Sequence, residues 1–102
     1  MNIQYKKGVL ELCVMSMLVK KDCYGYEISD YLAGHIDIAE GTVYPILRKL
    51  KADGLLTVYL QEESGGPPRK YYSLTELGKK TYAQERDEYL KFAESIKGIL
   101  EE

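Results

Sequence analysis

The segment from residue 55 to residue 74 constrains the fold most, because it predicts one β-hairpin in a chain whose other patterns are helical. Apolar and polar side chains alternate along residues 55–61, as they do on the two faces of a strand. Residues 62–68 are Glu-Glu-Ser-Gly-Gly-Pro-Pro, a run of turn formers, and residues 69–74 return as a second strand. We therefore predict a two-stranded hairpin with a flexible tip. The residues predicted on its inner face are Leu56, Val58, Leu60, Tyr72 and Leu74, with Tyr71 partly exposed.

Two segments with helical spacing open the chain. Residues 8–19 are apolar nearly all round, and one small domain cannot easily bury both sides of such a helix. A second surface, belonging to another subunit, is therefore predicted. The second helix begins near Tyr24 and ends at Gly34, which is well placed as a C-terminal cap. Its predicted inner side carries Tyr24, Ile28, Tyr31 and Leu32.

A third helix is predicted from a start between Ala39 and Thr42 to a stop at Asp53-Gly54. Pro45 has to lie near its first turn, because proline lacks the N–H donor that a helix interior needs. The inner face, at i, i+3, i+4 and i+7 spacing, is formed by Val43, Ile46, Leu47 and Leu50. The outer face carries Thr42, Tyr44, Pro45, Arg48, Lys49 and Lys51.

A long helix closes the chain, with Thr75 as its N-cap, Glu76 in its first turn and an end near Leu100. Its apolar stripe keeps steps of three and four and extends past a three-helix domain, which favours coiled-coil-like pairing with a second copy. We predict a dimer interface that the first and last helices share. Its predicted residues are Leu12, Met15, Tyr82, Tyr89, Phe92, Ala93, Ile96 and Leu100.

The order helix, helix, helix, hairpin, long helix is that of a winged helix-turn-helix. The predicted fold class is mostly α with a small β-hairpin. We assign residues 1–74 to a winged helix-turn-helix DNA-binding domain and residues 75–102 to a C-terminal dimerisation helix, the two forming one structural unit.

The composition of the chain and the motifs that it lacks argue against several classes of protein. A chain that is 45% hydrophobic and 29% charged has ordinary globular composition. The apolar run from Val9 to Val19 is too short to span a bilayer and no signal peptide is recognisable, so a cytoplasmic protein is expected. Cys13, Cys23 and His35 lack the spacing of a metal site. No phosphate loop, nucleophile elbow or acid pair is present, so we predict no enzyme, no cofactor and no metal.

The net charge of −2 conceals a zoned distribution. Residues 22–39 carry −4, whereas residues 1–21 carry +3 and residues 40–74 carry +1. A surface for double-stranded DNA must therefore be local. The residues predicted to contact DNA are Thr42, Tyr44, Arg48 and Lys49 on the third helix and Arg69 and Lys70 at the base of the projecting loop of the hairpin. Two alternatives remain open: an ordinary solvated helix face, and a winged-helix protein-protein interaction module.

The amino-acid sequence resembles that of the PadR family of bacterial transcription regulators, in particular its short subfamily. The resemblance spans residues 8 to about 78. It rests on Glu11-Leu12, Tyr24-Gly25-Tyr26-Glu27-Ile28, Gly41-Thr42-Val43-Tyr44-Pro45, Leu50 with Gly54-Leu55-Leu56, and Gly66-Pro67-Pro68-Arg69-Lys70-Tyr71-Tyr72-Ser73-Leu74-Thr75 with Gly78.

The resemblance implies a homodimer that places the third helix and the wing on DNA, with a small aromatic effector near the dimer centre in some relatives. Leu60 and Tyr89 stand where certain relatives carry Trp, so a tryptophan-walled drug pore is not expected. Tyr89 and Phe92 are the predicted lining of a smaller effector pocket, with interface packing as the alternative. The predicted function is a sequence-specific repressor at a near-palindromic operator.

Overall fold

The structure, a computed structural model, describes residues 3–39, 41–62 and 65–102. Over these ranges the chain forms four helices and one three-stranded antiparallel sheet of order β1-β3-β2. The predicted fold class is confirmed. The helices are α1 (Ile3–Lys20), α2 (Gly25–Ala33), α3 (Val43–Ala52) and α4 (Glu76–Leu100), and the strands are β1 (Cys23–Tyr24), β2 (Leu56–Gln61) and β3 (Arg69–Leu74).

The third strand of the sheet, β1, was not expected from the sequence. Its two residues are too few to show alternation, and they pair with β3 on the side away from β2. The pairing creates two rows of side chains across the sheet. The inner row is Cys23, Tyr72 and Val58, and the outer row is Tyr24, Tyr71 and Tyr59.

The core lies where α1, α2 and α3 meet the inner side of the sheet. All four residues predicted on the inner face of α3 are buried, with none more than 4% exposed. The i, i+3, i+4, i+7 spacing of this helix therefore predicted its orientation correctly. Tyr72 also packs against the core, as expected, while Tyr71 is half-buried.

Several side chains depart from the expected burial. Tyr24, expected on the inner side of α2, is instead half-buried in the outer row of the sheet. Met15 is only 1% exposed and packs in the core of its own chain, which corrects its assignment to the predicted dimer interface. Tyr31 is 48% exposed and lies against His35, with ring centroids 4.4 Å apart, instead of facing the core. Leu60 is 66% exposed, because it lies in the half of the hairpin that extends away from Leu56 and Leu74, the buried ends of the two strands.

Hydrogen bonds fasten the start of α4 to the turn between α3 and β2. The Thr75 hydroxyl accepts from the Gly78 N–H at 2.9 Å, which confirms Thr75 as the N-cap, and donates to the Gly54 carbonyl at 2.8 Å. The Thr75 N–H donates to the Leu55 carbonyl at 3.0 Å. Gly78 is buried against the backbone of this turn. The direction of α4 is therefore set at its first turn.

Beyond Tyr82, α4 leaves the core. The chain measures 56 × 29 × 21 Å, with a radius of gyration of 15.0 Å, whereas about 13 Å is usual for a compact domain of this length. Several large apolar side chains on this part of α4 are exposed in the single chain. They are Tyr89, Leu90, Phe92, Ile96, Ile99 and Leu100.

Across the described ranges, no helix combines the length and the apolar character needed to cross a membrane.

Candidate nucleic-acid interface

The exposed face of α3 carries the side chains that the sequence predicted there. Tyr44, Pro45, Arg48 and Lys49 are exposed. Thr42 occupies the N-cap position, but its hydroxyl makes no capping hydrogen bond with α3. Pro45 lies in the first turn, where its missing N–H costs no helical hydrogen bond.

A cationic groove runs beside this face, between α3, the start of α2 and the first residues of β3. It is open to solvent and has a volume of about 610 Å³. Three cations, Arg48, Arg69 and Lys70, lie along it, and no carboxylate of the described residues lines it. The remaining lining is Tyr24, Gly25, Tyr26, Tyr44 and Tyr72. The groove concentrates positive charge on one side of a chain whose net charge is −2.

The groove brings together four of the six residues predicted to contact DNA, namely Tyr44, Arg48, Arg69 and Lys70. The sequence reasoning missed its other wall, formed by Tyr24, Gly25 and Tyr26. These three residues belong to the motif that carries the family resemblance. Nothing in its local pattern says that β1 brings it beside the hairpin, because that contact depends on pairing across 47 positions, from Tyr24 to Tyr71.

Lys49, predicted as a DNA contact on the outer face of α3, forms ion pairs with two carboxylates. Its Nζ lies 3.0 Å from Glu11 Oε1 on α1 and 3.0 Å from Asp53 Oδ2 one turn further along α3. The hydrogen bond to Asp53 first, and then the ion pair with Glu11, raise the pKa of Lys49, so the ammonium stays charged and paired. The structure thus shows Lys49 tying α3 to α1, and it lies outside the cationic groove.

Close packing fixes the ring of Tyr44 at the mouth of the groove. Gly25, the first residue of α2, is buried, and a Cβ at this position would lie 2.8 Å from Tyr44 Cε1. Only a residue without a side chain lets the ring approach α2 so closely. The small residue on α2 therefore sets where α3 presents this tyrosine.

Arg69 lies over an aromatic ring at the other side of the groove. Its Cζ is 4.5 Å from the centre of the Tyr24 ring. Tyr24 is followed by Tyr71 at 5.6 Å and Tyr71 by Tyr59 at 5.7 Å between ring centroids. We call Tyr24, Tyr71 and Tyr59, the outer row of the sheet, the tyrosine row.

A second concavity, the interhelix cleft, lies between α1 and α4 and has a volume of about 940 Å³. It gathers six of the eight residues predicted for the dimer interface: Leu12, Tyr89, Phe92, Ala93, Ile96 and Leu100. Glu85, Glu88, Lys97 and Glu101 also line it, with Gly8 and Val9 on α1. The other two predicted interface residues, Met15 and Tyr82, do not line the cleft. Tyr82 is half-buried against the core of its own chain.

In the described part of the chain, no three metal-ligating side chains come together. Cys23 is the buried thiol, in β1, and Cys13 is half-buried on α1. Burial raises the pKa of both thiols, which disfavours the reactive thiolate.

Comparison with known proteins decides what kind of protein carries this groove. The family model described as "Transcriptional regulator PadR-like family" matches residues 14–84. The chain belongs to the PadR family. The match covers most of the winged helix-turn-helix and the first turns of α4, and it includes every residue of the cationic groove.

Solved structures and a curated relative agree with this membership. A PadR-like transcription factor of Bacteroides fragilis is 37% identical, with 94% of each chain covered and a TM-score of 0.77. A PadR-like transcriptional regulator of Bacillus cereus is 31% identical, with 95% of this chain and 96% of that one covered and a TM-score of 0.85. The transcriptional regulator YqjI of Escherichia coli is 32% identical over 94 residues, which are 88% of this chain but 44% of that protein.

This PadR protein is a transcriptional regulator. The family is one of transcription regulators, which implies a DNA-binding winged helix.

Proposed function

We propose that this PadR protein binds a near-palindromic operator in double-stranded DNA as a homodimer and represses transcription. The observation that carries the proposal is the cationic groove, in which Arg48, Arg69 and Lys70 line one continuous depression beside the exposed face of α3. Phosphate binding needs such local positive potential even when the net charge is negative.

In this proposal α3 is the recognition helix. Its outer face fits a major groove about 12 Å wide, where hydroxyl and guanidinium donors read base edges. Thr42, Tyr44 and Arg48 are the proposed contacts on this helix. Arg69 and Lys70 lie where β3 begins, next to the loop of the wing, and contact the phosphate backbone. Lys49 supports α3 through its ion pair with Glu11.

The homodimer is proposed from the interhelix cleft. Apolar side chains of α1 and α4 line this cleft, and most of those on α4 remain exposed in a single chain, among them Phe92 at 64% and Leu100 at 78%. Exposed apolar surface of this extent marks an association site. A second copy that covers it by two-fold symmetry would hold two recognition helices about 34 Å apart, one turn of DNA.

The first test is selection of bound duplexes from a random pool, followed by salt titration of the selected duplex. Arg69→Ala and Lys70→Ala are each expected to weaken all sequences similarly, because they remove cations that neutralise phosphates. Each should lower the slope of log affinity against log salt by about one for every phosphate that a subunit no longer neutralises. Lys80→Ala, an exposed cation on α4 outside the groove, is the control and should leave the slope unchanged. Affinity that does not vary with salt would exclude this DNA surface.

The position of Tyr44 gives a second test within the same assay. Gly25→Ala is expected to displace the Tyr44 ring and weaken binding to the selected duplex by about tenfold or more, since a good base contact contributes about 1 to 3 kcal/mol. The fold should be retained, because alanine favours the helix that begins at this residue. Gly34→Ala, at the other end of α2, has an ordinary φ of −75° and is the control. Equal affinity of Gly25→Ala and the wild type would remove Tyr44 from the interface.

A small planar aromatic effector is proposed for the interhelix cleft. Tyr89 and Phe92 supply aromatic walls there, and the Tyr89 hydroxyl suits a phenolic ligand. Because α1 and α4 set the spacing of the recognition helices in the dimer, a ligand that prefers one spacing changes DNA affinity by its differential affinity for the two states. A coupling of about 1 to 3 kcal/mol is usual.

Calorimetric titration of a panel of planar phenols tests the effector. Tyr89→Ala is expected to abolish the binding and the loss of operator affinity together, because the ring forms a wall of the cleft. Tyr31→Ala removes an exposed tyrosine outside the cleft and should change neither. Phenol binding that survives Tyr89→Ala undiminished would place the effector elsewhere.

A further inference from the structure

The tyrosine row connects Arg69 to the opposite edge of the sheet. Its three members occupy paired positions on three adjacent strands, Tyr24 on β1, Tyr71 on β3 and Tyr59 on β2. Tyr71 and Tyr59 are stacked, with 18° between their ring planes, and Tyr24 is tilted by 57° against Tyr71. Arg69 lies over the β1 end of this row, on the Tyr24 ring.

A hydrogen bond holds Tyr59, the member of the tyrosine row farthest from Arg69. The Tyr59 hydroxyl donates to Asp22 Oδ2 at 2.7 Å, although Tyr59 and Asp22 are 37 positions apart and lie on opposite sides of β3. The bond joins the edge strand of the wing to the residue that precedes β1. Two kinds of interaction therefore restrain the tyrosine row. The strand pairing aligns the three residues, and the hydrogen bond to Asp22 fixes the Tyr59 ring.

We infer that the tyrosine row positions the Arg69 guanidinium in the cationic groove, and that Tyr24 is a positioning residue for DNA binding. The inference rests on the proposed function, in which Arg69 contacts a phosphate. It adds that the affinity of this contact depends on a ring that itself need not touch the DNA.

The chemistry of arginine explains why such a support matters. Arginine has a long, flexible side chain, and ordering it on binding costs conformational entropy. A ring beneath the guanidinium restricts the side chain before DNA arrives. Stacking uses the face of the guanidinium, whereas phosphate oxygens bind the N–H donors along its edge. The two interactions are therefore compatible, and the first prepares the second.

A double-mutant cycle on the selected duplex tests the inference. Tyr24→Leu is expected to weaken binding by up to about fivefold per subunit, the range of a solvent-exposed cation-π contact. Tyr24→Phe keeps the ring and should bind as the wild type does. In the Arg69→Ala background, Tyr24→Leu should have no further effect, because the side chain that it positions is absent.

Arg69→Lys is the second variant and keeps the charge without the planar group. Its affinity for the duplex is expected to be lower than that of the wild type. Tyr24→Leu should weaken binding less in the Arg69→Lys background than in the wild-type background. Thermal unfolding of each variant reports whether β1 stays paired with β3. A tyrosine that only stabilised the sheet would weaken binding equally in the wild-type and Arg69→Ala backgrounds, which would overturn the inference.

The outcomes separate this inference from the proposed function. If Arg69→Ala binds the duplex as tightly as the wild type does, the proposed wing contact is wrong and the positioning role falls with it. If Arg69→Ala weakens binding while Tyr24→Leu has no effect or an effect independent of Arg69, the wing contact stands and the positioning role is wrong.

Discussion

Gly78→Ala is expected to destabilise this protein by about 2 to 3 kcal/mol, in spite of the helix propensity of alanine, which favours the helix by about 1 kcal/mol. A Cβ at this position would overlap the Leu55 carbonyl oxygen and lie 2.9 Å from Leu74 Cδ2. Backbone atoms cannot yield as a flexible side chain can. The start of α4 would have to move away from the turn that its Thr75 hydrogen bonds hold. Urea denaturation followed by circular dichroism measures the change in unfolding free energy.

Gly98→Ala is a matched control for this prediction. Gly98 lies in the same helix, and a Cβ there would meet nothing within 4 Å. Alanine should therefore stabilise the helix by up to about 1 kcal/mol, so that the two substitutions have opposite signs. A Gly78→Ala protein as stable as Gly98→Ala would show that Gly78 does not pack against the Leu55 backbone.

The second large effect is expected at the proposed subunit interface. Ile96→Glu places a carboxylate in the interhelix cleft, beside Glu85, Glu88 and Glu101, which also line it. Burying this charge at a dimer interface without a partner is costly, so the variant should be monomeric. A monomer loses simultaneous binding to two half-sites. Its affinity for the selected duplex should therefore fall by about 100-fold or more.

Sedimentation at micromolar concentration measures the oligomeric state, and gel-shift titration measures the affinity. Leu77→Glu introduces the same charge at an exposed leucine of α4 outside the cleft and should remain a DNA-binding dimer. Truncation after Lys80 is expected to remove the dimer as well. A dimeric Ile96→Glu protein, or a monomeric wild type, would contradict the proposed architecture.

The sequence could predict those features that depend on near neighbours in the chain. The spacing of Val43, Ile46, Leu47 and Leu50 was sufficient to orient α3, since a helix with one apolar face has one way to bury it. Thr75 was identified as the N-cap of α4 because the cap is a contact over three positions, to Gly78. The hairpin followed from the alternation of its strands and the turn formers between them.

Where the sequence allowed two answers, the tertiary structure decided between them. Because α1 is apolar nearly all round, periodicity cannot show which of Met15 and Leu12 is buried in the core and which lies at the surface. The position of α2, α3 and the sheet buries Met15, and α4 leaves Leu12 in the interhelix cleft. Lys49 and Arg48 are adjacent cations on α3, but Glu11 from α1 pairs with Lys49.

The four helices, the hairpin, their order and the inner face of α3 could thus be predicted from the sequence, because local spacing and capping fix these properties. The tertiary structure alone decided the composition of the cationic groove. The two-residue strand β1 has no pattern of its own, yet its pairing with β3 brings Tyr24 under Arg69 and Gly25 against Tyr44. Contacts between residues far apart in the chain depend on how the elements pack together, and periodicity within one element carries no information about that packing.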